Sequence, residues 1–115
     1  MIHLLATVIS AICLLANSQQ VNVLVFSKTA GFRHEAIPVG ISCLEKIAAS
    51  NGWRITSTED PAVFSDEKLA KVDVTVWLMT TGDVLDSAQQ EALGRFIRSG
   101  KGFVGAILWA AGRAK

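Results

Sequence analysis

Charge of either sign is nearly balanced in this sequence. It has 11 Lys and Arg against 10 Asp and Glu, a formal net charge of +1 over 115 residues. The basic residues are scattered and form no phosphate-tracking stripe, so the balance argues against nucleic acid or an anionic membrane as a partner. Cysteine is scarce. Cys13 and Cys43 are the only two, and they make neither a CxxC nor a Cys/His pattern, which removes a disulfide framework and a zinc site from consideration. No GxGxxG follows the first strand-like segment and no Walker A sequence occurs, so dinucleotide and P-loop nucleotide binding find no support and no cofactor is expected. Internal repeats and low-complexity segments are also missing. With 115 residues the ceiling is one domain, and a hydrophobic share of 50% supplies a core and excludes a disordered chain.

What is present begins with an apolar run, MIHLLATVISAICLLA, followed abruptly by polar Asn17-Ser18-Gln19-Gln20. The run is short for a membrane span and reads as the apolar part of a signal peptide over 1–18, with Ala16 and Ser18 as the small residues before a cleavage at Gln19. Its first residues carry His3 but no Lys or Arg, so an uncleaved anchor or a buried core segment is the rival reading. Ile12 before Cys13 argues against a lipoprotein site. Cleavage leaves residues 19–115 as a secreted or periplasmic domain with no membrane contact, holding Cys43 as a lone cysteine.

The mature chain alternates between two hydrophobic periods. Val21 to Ser27 is β-branched and apolar, as a strand buried on both faces reads. From Ile37 the spacing changes to Ile37, Ile41, Leu44, Ile47 and Ala48, a helix ended by Asn51-Gly52. Trp53 to Thr58 suits a second strand, broken by Glu59-Asp60-Pro61. Ser65 caps a short helix to about Ala70. Asp73 to Met79 is a third strand. Asp86 or Ser87 caps a helix to about Arg98, and Gly102 to Trp109 is a fourth strand. Strands that alternate with helices and are buried on both faces imply an α/β fold, an open parallel sheet with helices on both faces. Cys43 at mid-helix and the tryptophans Trp53, Trp77 and Trp109 are expected in the core.

In such a sheet ligands bind beyond the carboxyl ends of the strands, near a switch in strand order. Two loops leave those ends with unusual polar content: Lys28 to Glu35, and Thr80 to Asp83. Both run into helices, whose N-terminal amides can receive an anion or oxyanion. Arg33 either binds a carboxylate or phosphate bidentately or pairs with Glu35. His34 is of the residue type that serves as an acid or base, although a lone loop histidine is more often a structural hydrogen bonder. Asp83 either orients a hydroxyl-rich ligand or satisfies amides of the turn and the following helix. Thr80 and Thr81 either bond a sugar or cap the turn. Gly31 and Gly82 serve backbone geometry.

These residues converge on a family. K-T-x-G-F-R-H from Lys28, T-E-D-P-x-x-F from Thr58, T-T-G-D from Thr80 and G-x-G-F-V-G from Gly100, in that order, resemble the ThuA-like domain over about Val21 to Gly105. The resemblance implies a flavodoxin-like, class I glutamine-amidotransferase-like fold and a link to sugar metabolism, the family name coming from trehalose utilisation. By position it carries over Thr29, Gly31, Phe32, Arg33, Thr81 and Gly82 as substrate-binding residues and His34 and Asp83 as catalytic ones, with a sugar or sugar-derived molecule as partner and no metal.

One departure from the family follows Gly105. The family continues with Ile-His and a long second half, whereas here Ala106-Ile107-Leu108-Trp109 precedes the last residue, Lys115. The expectation is therefore the N-terminal half of a ThuA-like domain, truncated, with residues after Gly105 out of register. Strands three and four would then lack covering helices, and the chain would self-associate through an exposed sheet edge. The functional alternatives to a sugar-related domain are an inactive fragment and a carbohydrate-binding or interaction module without catalysis.

Overall fold

The computed structural model describes residues 19–106. The signal-peptide segment 1–18, the end of the fourth strand beyond Ala106, Trp109 and the tail lie outside the described residues. The elements follow in the expected order: β1 (Asn22–Phe26), α1 (Ile37–Asn51), β2 (Arg54–Thr58), a 3-10 turn (Pro61–Val63), α2 (Asp66–Leu69), β3 (Val74–Leu78), α3 (Ser87–Arg98) and β4 (Gly102–Ala106). All pairings are parallel, and the sheet order is β2-β1-β3-β4. That is the flavodoxin-like sequence of strands, with its switch point between β1 and β3.

Local chemistry sets the element ends. Gly52, at φ 70°, donates its N–H back to the Ala48 and Ala49 carbonyls and stops α1, because only a residue without Cβ occupies that region at little cost. At α2, the Ser65 hydroxyl accepts from the Lys68 N–H. α3 starts with a full capping box: the Asp86 carboxylate accepts from the Gln89 N–H at 2.8 Å, and the Gln89 side chain accepts from the Asp86 N–H at 2.9 Å. Lys101 closes the other end of this layer. Its ammonium donates to the carbonyls of Leu69, Ala70 and Val72 at 3.1, 3.2 and 2.7 Å, and lies over the Phe96 ring. On the outer surface the Arg95 guanidinium donates to Asp66 at 3.0 Å, and this hydrogen bond raises its pKa above the ordinary value.

The sheet separates two cores. Leu24 and Phe26 of β1 pack against Phe64, Leu69, Leu85, Ala92 and Phe96 under α2 and α3. Phe26 is fully buried and meets Phe64 and Trp77 edge-on, with ring centroids 4.8 and 4.9 Å apart. On the opposite face Val23, Val25, Ile37, Val76, Leu78 and Met79 form the second core beneath α1.

Four sequence expectations change here. Cys43 is exposed, because α1 turns Ile37, Ile41, Leu44 and Ala48 toward the sheet and leaves position 43 off that stripe. Trp53 is 39% exposed and sits at the rim of an apolar groove, since it precedes an edge strand with no neighbour on its far side among the described residues. β2 is largely exposed for the same reason. β3 is covered on both faces, with Thr75, Val76 and Leu78 buried, so exposure on the far side of the sheet is confined to β4, where Phe103 and Val104 are each 48% exposed. No helix among the described residues is long and apolar enough to cross a membrane.

Candidate functional site

The switch in strand order places the β1 and β3 exits side by side, and the two loops that leave them are tied together. Thr29 and Thr81 form an isolated parallel bridge. The Thr81 carbonyl accepts from the Ala30 N–H at 2.7 Å and the Gly31 N–H at 3.3 Å, and the Thr81 hydroxyl donates to the Phe32 carbonyl at 2.7 Å. Thr81 thus organises the loop after β1 through both its backbone and its side chain.

Two left-handed residues give the β3 exit its path. Met79 follows the strand at φ 51°, unusual for a residue with a side chain, and is held by burial and by its N–H donating to the Ala106 carbonyl at 2.9 Å. Gly82 has φ 75°, and a Cβ there would come within 3.0 Å of the Ala30 Cβ and 3.2 Å of the Gly31 nitrogen. Glycine at 82 is therefore a condition of the loop-to-loop contact. Gly31 differs from the expectation for it. Its φ is not left-handed, and a Cβ would make only ordinary contact with Thr81, 3.5 Å from the hydroxyl.

The loop after β2 contributes a residue the sequence reading did not select. Glu59 forms a salt bridge with Arg33, both side chains about half exposed. The Thr58 hydroxyl accepts the Asp60 N–H at 3.0 Å and the Asp60 carboxylate accepts the Ala62 N–H at 2.9 Å, which fixes the backbone on the C-terminal side of Glu59. Arg33 thus pairs with Glu59 rather than Glu35, because the parallel register of β1 and β2 brings their exits together. The signal for Glu59 was its place in T-E-D-P, though nothing in spacing alone links positions 33 and 59.

His34 stands beside Phe32, with ring centroids 5.0 Å apart at 81°, and its carbonyl accepts the Ile37 N–H at 3.2 Å as α1 begins. Phe32 is 71% exposed at the mouth of the site. Asp83 is exposed, and the N-cap role open to it falls to Asp86 instead. α1 begins at Ala36 without a side-chain cap. The structure therefore places Thr29, Gly31, Phe32, Arg33 and His34 in the loop after β1 and Thr81, Gly82 and Asp83 in the loop after β3, the two joined through the Thr29–Thr81 bridge. Among the described residues no three His, Cys, Asp or Glu side chains cluster closely enough to hold a metal.

This arrangement is an open polar surface with one exposed aromatic ring, one paired guanidinium, hydroxyls and an imidazole. It suits a ligand that offers hydroxyl groups and an apolar face.

Comparison with known proteins bears on the fold and the family. The sequence model of ThuA, described as trehalose utilisation, matches residues 22–110. No curated protein matches the chain. Among solved structures, a ThuA-like protein from Bacteroides uniformis ATCC 8492 superposes with a TM-score of 0.61 at 22% sequence identity, covering 78% of this chain and 38% of that one. The chain thus spans well under half the length of that structure.

Proposed function

The chain belongs to the ThuA family, and on that premise we propose that the bridged loops at the β1 and β3 exits bind a sugar or sugar-derived molecule. The observation that carries the reading is the Thr29–Thr81 link, which presents Phe32 outward beside His34 and Arg33. In this reading the Phe32 ring stacks on the apolar face of a pyranose. Thr29 exchanges hydrogen bonds with its hydroxyls, the Thr81 hydroxyl, whose proton is held by the Phe32 carbonyl, accepts one, and Arg33 donates to an oxygen while anchored by Glu59. Gly82 lets the two loops approach, and the Gly31 N–H donates to the Thr81 carbonyl across them. His34 and Asp83 are the groups able to move a proton to or from a bound hydroxyl.

A second reading, binding without turnover, is favoured by the exposure of the two loops. Phe32, Arg33 and Asp83 are all exposed, and proton-transfer chemistry on a sugar draws its strength from excluded water. The alternative of an inactive fragment predicts no binding at all.

Titration of the full chain with trehalose and with glucose, followed by chemical shifts of the Thr81 and Gly82 amides, tests the proposal. Saturable shifts that are lost in Phe32→Ala support it. Unchanged amides at millimolar sugar in a folded chain refute it. Turnover that disappears in His34→Ala while binding persists would separate the catalytic reading from the binding one.

A further inference from the structure

Arg54, Lys68 and Lys71 are scattered in sequence, yet the fold brings them around one hollow. The hollow has a volume of about 260 Å³ and lies on the sheet face that carries α2. The parallel register sets Arg54 beside Asn22 and Thr56 beside Leu24, so β2 presents Arg54 and Thr56 on the same face as Leu24. α2 and the turn that follows it supply Lys68 and Lys71, one helical turn apart, with the Lys71 N–H donating to the Lys68 carbonyl at 3.3 Å. Leu24, Val63 and Val72 give the hollow an apolar lining. All its walls come from residues 22–72, a continuous and fully described stretch, so its outline owes nothing to β4 or to the residues after it.

No carboxylate balances these three cations. The ion pairs among the described residues join Arg33 to Glu59 and Arg95 to Asp66 and Glu91, and none includes Arg54, Lys68 or Lys71. The acids nearest in sequence are committed elsewhere. Asp66 is held by Arg95 at 3.0 Å, and Asp73 accepts the Asn22 N–H at 2.8 Å. Glu67 is exposed and does not line the hollow. Positive charge is thus collected over an apolar lining, where a charge interaction is stronger than in open water. The volume falls below the about 300 Å³ at which sites for drug-sized ligands begin, so it suits one small group rather than a large ligand. Lysine meets a phosphate as a point charge, and arginine grips two of its oxygens at once.

We propose that this hollow binds a phosphate or sulfate group, free or as the head of a small ester, through Arg54, Lys68 and Lys71. The Thr56 hydroxyl donates to a remaining oxygen, and the apolar lining faces the body of the ester. Arg54 begins β2 and Asn22 begins β1, so the site lies toward the amino ends of the strands, away from the bridged loops at the β1 and β3 exits. It does not rest on the sugar reading of those loops.

The test is titration of the full chain with inorganic phosphate, inorganic sulfate and phenyl phosphate at matched ionic strength, with sodium chloride as the control, followed by amide chemical shifts. Saturable shifts at Thr56, Val63 and Lys71 are expected with phosphate and sulfate and not with chloride. Arg54→Gln is expected to weaken phosphate binding about tenfold, and so is Lys68→Gln combined with Lys71→Gln. All three side chains are exposed, so the variants are expected to fold, which tryptophan fluorescence checks. Lys46→Gln removes an exposed cation from α1, on the opposite face of the sheet, and is expected to change nothing. Tighter binding of phenyl phosphate than of phosphate identifies an ester as the source, and equal affinity identifies the free ion; either upholds the site. Unchanged amides in a folded chain overturn the proposal. Chloride shifts of the same size, which mean diffuse screening only, overturn it too, and so does phosphate binding that Lys46→Gln weakens as much as Arg54→Gln.

Discussion

Replacing Gly82 by alanine tests whether the loops after β1 and β3 depend on their close approach. Two effects combine at this position. The backbone sits at φ 75°, where an L side chain costs about 1 kcal/mol relative to glycine. The added Cβ also meets the Ala30 Cβ at 3.0 Å and the Gly31 nitrogen at 3.2 Å, and that amide already donates to Thr81. Overpacking of this kind costs about 1–3 kcal/mol. Gly52→Ala supplies the control, because Gly52 has φ 70° but nothing within 4 Å of its Cβ position. Gly52→Ala should therefore lose about 1 kcal/mol and Gly82→Ala about 2–4 kcal/mol. The difference between them isolates the steric cost of the loop contact. Urea denaturation followed by tryptophan fluorescence gives both numbers, and the Thr81 amide shift reports whether the bridge to Thr29 survives. Equal losses in the two variants would refute the reasoning, since the crowding around Gly82 would then be relieved without consequence.

Two further predictions concern one polar group in the core and one at its border. Thr75 is fully buried and its hydroxyl has no hydrogen-bond partner among the described residues, so the near-isosteric Thr75→Val should raise stability by about 1 kcal/mol in the same denaturation assay. Lys101 donates to three carbonyls at the end of α2, so Lys101→Met, which keeps the apolar stem, should lower stability by about 2–3 kcal/mol, with the amides of Leu69 to Val72 losing hydrogen-exchange protection first.

The contrast between what sequence reasoning reached and what it missed has a physical basis. β1 was legible because Val23 to Phe26 is a short, β-branched apolar run that a polar, glycine-containing loop follows, as a strand buried on both faces reads. The ends of α1 and α3 were legible because Gly52 and Asp86 act within three or four residues of themselves. The convergence of the two loops followed from topology, since a parallel sheet with a switch beside β1 brings those exits together wherever the side chains point. The missed contacts join distant positions. Arg33 and Glu59 are 26 residues apart, and Lys101 reaches Leu69 across 32. No local period announces either pair. Cys43 and Trp53 were misplaced for a related reason: apolar residues are assigned to the core by type, but the face of α1 and the edge position of β2 decide their exposure.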